Sequence, residues 1–98
     1  MSNRMNPIAR LLEMLPARVA DEKRLAILNE LQPLGFESHW RQTCLREHKN
    51  TGEIYAQVGW VICKHLEVPL DFLWDADVAA SESKRLIDHY VKAQLQTI

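Results

Sequence analysis

"ICKHLEVPLDFLW", residues 62–74, decides how the chain is read. Ile62 and Leu66 are four apart, the spacing that places two side chains on one face of a helix. The run then breaks at Val68-Pro69. A proline ring disfavours helical backbone in the residue before it, and its fixed φ suits the first turn of a new helix. Leu70 and Leu73 resume an apolar pattern at helical spacing, and the stretch closes on Trp74. One helix hands over to a short second one within a few residues.

Upstream of this hand-over, "GEIYAQVGWVICKHL" (52–66) places Tyr55, Val58, Ile62 and Leu66 three and four apart. Ile54, Trp60 and Val61 widen that stripe beyond what one solvent-facing helix needs, so the segment is expected to be the central helix, with Thr51 as its cap. "KNTG" (49–52) is a turn by composition. Before it, "SHWRQTCLREHK" (38–49) is expected to form a third helix opened by Ser38, with Trp40, Cys44 and His48 one turn apart on one stripe and Arg41, Gln42, Arg46 and Lys49 beside it. "LQPLGF" (31–36) separates that helix from a second one at Ala17–Leu31, because Gly35 can take the left-handed conformation of a tight exit. The second helix carries Val19, Leu25, Ile27, Leu28 and Leu31 as its apolar set. The first begins at Asn6-Pro7, where Asn can cap and Pro lacks only an N–H that would be unpaired anyway. It carries Ile8, Leu11, Leu12 and Leu15 and ends at Pro16. Residues 1–5 read as a flexible tail.

Downstream, a C-terminal helix over about 78–95 carries Leu86, Ile87, Tyr90 and Val91 as an apolar side. No period-two strand, internal repeat or low-complexity tract interrupts the pattern. The expectation is an all-α fold, a compact bundle of five to six short helices forming one domain over residues 6–98. With 98 residues, 47% of them hydrophobic and 26% charged, the chain has enough apolar side chain for one core and an ordinary globular surface.

The formal net charge of −1 does not demand a nucleic-acid partner, although Arg and Lys are in slight excess over residues 1–50 and acids over 51–98. No run approaches the roughly 18 apolar residues of a membrane span, and "MSNRMNPIAR" contains no apolar signal core. Cys44 and Cys63 read as reduced thiols of a cytoplasmic protein. Cys44 and His48, four apart, could reach one ion. Cys63 and His65 are two apart on a helix and point to nearly opposite sides, so no four-ligand set forms and no metal is expected. Without a Gly-rich phosphate loop, an H-E-x-x-H pair or an oriented Cys–His dyad, neither an enzyme nor a cofactor is indicated.

The order of helix, Gly turn, polar helix, Gly turn, long apolar helix and "HLEVPLDFLW" resembles the phage-repressor group of helix-turn-helix domains, the Cro and lambda-repressor family. Leu66, Val68, Pro69, Leu70, Asp71 and Leu73 stand where that family closes its fourth helix with Leu-x-Val, a small or Pro residue, an apolar residue, an acid and Leu. The likeness covers about residues 24–75 and is closest over the last ten. Upstream the chain departs from the family: Leu31 stands four residues before Gly35 in place of alanine, Pro33 intervenes, and no Gln opens the next helix. The resemblance implies double-stranded DNA as partner, with Ser38, His39, Arg41 and Gln42 facing base edges and Arg46, Lys49, Asn50 and Thr51 meeting phosphates. It also implies a homodimer, for which Leu86, Ile87, Tyr90 and Val91 offer a surface. The alternative is a helical protein–protein interaction module, an adaptor, inhibitor or antitoxin-like partner. The same arginines then form a solvated face, and Trp40 is a core residue or an interface anchor.

Overall fold

The computed structural model describes the backbone of residues 6–96 and the side chains of residues 6–93, and the tail expected at 1–5 lies outside them. Among the described residues there is no strand, and no helix is long and apolar enough to cross a membrane. Helix α1 is Pro7–Met14, and the Asn6 side chain accepts the Ile8 N–H at 2.9 Å as its cap. Its apolar face, Ile8, Leu11, Leu12 and Leu15, is buried.

Helix α2, Ala17–Leu31, turns Ala20, Lys23, Ile27 and Leu31 inward at helical spacing. Leu25, expected in that stripe, is 58% exposed instead. Two residues before Ile27, it lies about 200° around the helix from the buried line. Lys23 occupies the line at that level: its stem is buried, and its ammonium donates to the His65 carbonyl at 3.0 Å and lies 5.2 Å from the Tyr90 ring centre. After a 3-10 turn, Gln32–Leu34, Gly35 takes φ +84°. The Phe36 N–H then returns to the Leu31 carbonyl at 3.1 Å, the hydrogen bond of a glycine-terminated helix.

Helix α3 is shorter than the helix expected over 38–48. Glu37–His39 is α-helical and Trp40–Cys44 is a widened π turn, closed by the Leu45 N–H on the Trp40 carbonyl at 3.1 Å. Trp40 and Cys44 are buried. A 3-10 turn at Thr51–Glu53 follows, capped by Asn50, whose side chain accepts the Gly52 N–H at 2.9 Å. Thr51 is thus not the cap of the next helix. Its hydroxyl is buried and donates to the Leu73 carbonyl.

Helix α4, Ala56–Leu66, is central, with Val58, Val61, Ile62 and Leu66 buried against α2 and the 3-10 turn Leu70–Leu73. Tyr55, expected in the apolar stripe, and Trp60, expected to widen it, both face water. Gly59 permits the close approach on the other side, since a Cβ there would fall 2.8 Å from Leu73 Cδ1. The helix ends on Glu67 at φ +63°, and the Val68 N–H reaches back to the Cys63 carbonyl at 3.1 Å. In the next turn Phe72 and Leu73 face the core, while Leu70, which the spacing pairs with Leu73 in one apolar pattern, stays exposed. Helix α5, Ala76–Gln96, begins two residues before the expected start near 78. The Asp75 carboxylate caps it by accepting the Asp77 and Val78 N–H groups at 2.9 and 3.2 Å. It lies on the Leu70–Leu73 turn and on α1, anchored by Leu86.

Candidate nucleic-acid interface

Helix α3 is two-faced because Trp40 and Cys44, four residues apart, both enter the core. What remains outside is Ser38, Arg41 and Gln42, with Arg46 exposed in the turn that follows. Asn6 holds the far end of the helix in place. Its amide donates to the carbonyls of Thr43, Cys44 and Arg46 at 3.2, 2.8 and 3.3 Å, and its own N–H donates to the Glu47 carbonyl at 2.9 Å. Carbonyls at a helix end have no partner within the helix, so this residue of the α1 cap also closes α3.

Arg41 lies 3.6 Å from the Glu37 carboxylate, one turn back on the same exposed face, with 60% of its side chain in water. Such an exposed i,i+4 pair contributes only about 0.3–0.5 kcal/mol, so a stronger anion can take the guanidinium from it. Arg46 has no ion-pair partner among the described residues. Lys49 is 3.9 Å from Glu53, another exposed and weak pair. Over residues 37–53 the cations Arg41, Arg46 and Lys49 are interspersed with Glu37, Glu47 and Glu53, so the stripe is mixed in sign.

Three of the expected DNA contacts are committed elsewhere. His39 stacks on Tyr55, with ring centres 4.3 Å apart and planes at 17°, and its Nε2 accepts the Tyr55 N–H at 3.4 Å. Partial burial lowers its pKa, so the ring is neutral near pH 7 and packs on Tyr55 instead of offering a free cation. Asn50 caps its own turn, and Thr51 is buried. Tyr55, read from the sequence as a core residue, is 59% exposed and extends the polar surface of α3, with Phe36 on its flank at 5.9 Å. The only signal for it was a helical spacing that does not say which end of a stripe is covered.

On α5, Leu86 is fully buried in the chain's own core and has no surface to give a second subunit. Tyr90 is half-buried, with its hydroxyl on the Glu67 carboxylate at 3.4 Å. Of the four residues expected to form an interface, Val91 and part of Ile87 remain accessible. Cys44 is buried while His48 is exposed, so the two do not share a surface. Burial pushes the Cys44 and Cys63 thiols up to about 12 and about 11, far from the thiolate that metals and electrophiles require. Among the described residues, no three His, Cys, Asp or Glu side chains converge as a metal site. No family model, curated protein or solved structure matches the chain.

Proposed function

We propose that the chain is a small, cytoplasmic DNA-binding regulator of the helix-turn-helix kind, with α3 as the helix that enters the major groove. One observation carries this: Ser38, Arg41 and Gln42 are exposed together on a helix whose opposite face is fixed by Trp40 and Cys44, with Arg46 exposed in the turn that follows. Arg can grip guanine through two parallel hydrogen bonds, and Gln can do the same with adenine. Arg46 and Lys49, just beyond the helix, suit phosphate contacts that set register. At about 1.5 Å per residue, the eight residues Glu37–Cys44 span roughly 12 Å and reach only a few base pairs, so two copies would share a site. The test is binding of the folded protein to a duplex across a salt series. Two phosphate contacts, from Arg46 and Lys49, give a slope of about −1.8 in log K against log salt per protomer. Arg46→Ala should lower that slope in magnitude by about one. Absence of binding at low salt with protein in excess would end this reading.

A second reading, a helical protein-interaction module without DNA, is favoured by the three acids that lie among the three cations over residues 37–53 and by the exposed Trp60 and Trp74. It requires a protein partner that is lost on Trp60→Ala while the fold, followed by circular dichroism, is unchanged.

A further inference from the structure

A groove of about 680 Å³ runs between α1, the Leu70–Leu73 turn and α5. Phe72 and Leu73 form its base, and Ala79, Ala80 and Ile87 form the α5 wall. These small residues leave room for an incoming side chain beside the helix. Two large apolar side chains stand on the edge of the groove in water, Met14 at 61% exposure and Trp74 at 42%. The hole and the side chains able to fill it therefore belong to one patch.

The rim charges narrow the choice of occupant. Arg10 and Lys84 supply two cations, and Asp75 and Asp88 supply two carboxylates. All four are exposed, and none makes an ion pair among the described residues. A partner of one sign would be attracted by half of this rim and repelled by the other half. A second copy related by a two-fold axis presents the same patch reversed, so cations can face carboxylates on both sides of the axis. Met and Trp are also among the residue types favoured at the centre of interfaces. We propose that this groove is the self-association surface of the chain, in which Met14 and Trp74 of each copy enter the groove of the other and the rim charges pair across the axis. It stands apart from α3 and does not depend on DNA being the partner there.

Sedimentation equilibrium of the intact chain tests it. The wild type should give twice the 11.4 kDa chain mass. Met14→Glu and Trp74→Ala, both at exposed positions, should each raise the dimer Kd about tenfold or more. The charge rim gives a separate readout that loss of folding cannot imitate. Arg10→Glu with Lys84→Glu makes an acidic rim, and Asp88→Lys makes a basic one. Each variant alone should be monomeric, and the two mixed should form a one-to-one heterodimer. A wild type that stays monomeric up to about 1 mM, the range where affinity is negligible, overturns the proposal. So does a dimer whose Kd is unmoved by Met14→Glu and Trp74→Ala, or a pair of rim variants that fail to combine.

Discussion

Asn6 offers the sharpest test of how this fold is held. At an ordinary exposed N-cap, Asn and Asp are interchangeable, because each offers one oxygen to the first N–H groups of the helix. Here Asn6 is fully buried, and its two ends do different things. Oδ1 takes the Ile8 N–H, while Nδ2 faces three carbonyls at the end of α3, the closest being that of Cys44 at 2.8 Å. Asn6→Ala removes the cap, about 1 kcal/mol, and leaves the buried Cys44 carbonyl without a donor, about 1–3 kcal/mol. The sum is a loss of roughly 2–4 kcal/mol. In a domain of this size it lowers Tm by roughly 10–30 °C, at about 4–8 °C per kcal/mol. Asn6→Asp keeps the cap but turns an acceptor toward three acceptors, so it should destabilise at least as much as Asn6→Ala. Thermal and urea unfolding followed by circular dichroism measures both variants. If Asn6→Asp matches the wild type, Asn6 is only a cap, and its tie to α3 contributes nothing to stability.

Glu67 sits at φ +63°, where a side chain costs about 1–2 kcal/mol and glycine costs none, although glycine gives back about 0.5–1 through unfolded-state entropy. Glu67→Gly should raise the unfolding free energy by a net of roughly 0.5–1 kcal/mol, read as a higher urea midpoint, and a lowered midpoint would refute the strain. Hydrogen bonds from Lys64 and from His65, in that order, hold the Glu30 carboxyl below the ordinary value of 4.5. Because the folded pKa is the lower one, its contribution to stability is present above the unfolded value and disappears as pH falls through the folded value. An NMR titration should find the Glu30 midpoint below 4.5, and Lys64→Met should move it upward. With thiols raised to about 12 and about 11, Cys44 and Cys63 should resist alkylation at pH 8 in the native state, and their labelling in urea should follow global unfolding. Rapid labelling without urea would show that α3 or α4 opens locally.

Several boundaries were legible in the sequence because their causes are local. Asn6-Pro7 starts α1, Pro16 separates it from α2, Gly35 turns the chain before α3, and Val68-Pro69 follows the end of α4. Each depends on the backbone preferences of one or two neighbouring residues, which fold the same way wherever the segment lies. The all-helical class followed from spacing alone. Tertiary structure decided which end of each apolar stripe is covered. It put Lys23 inside and Leu25 outside on α2, Leu86 inside on α5, and Tyr55 outside against His39. It turned Thr51 toward Leu73, 22 residues away, and Asn6 toward carbonyls 37 to 40 residues away. Periodicity tells that a helix has a face to bury. It carries no information about which distant carbonyl, ring or carboxylate will meet that face, because that depends on packing among elements far apart in the chain. For the same reason the exposed set on α3 and the groove beside α5 emerged only from the folded molecule.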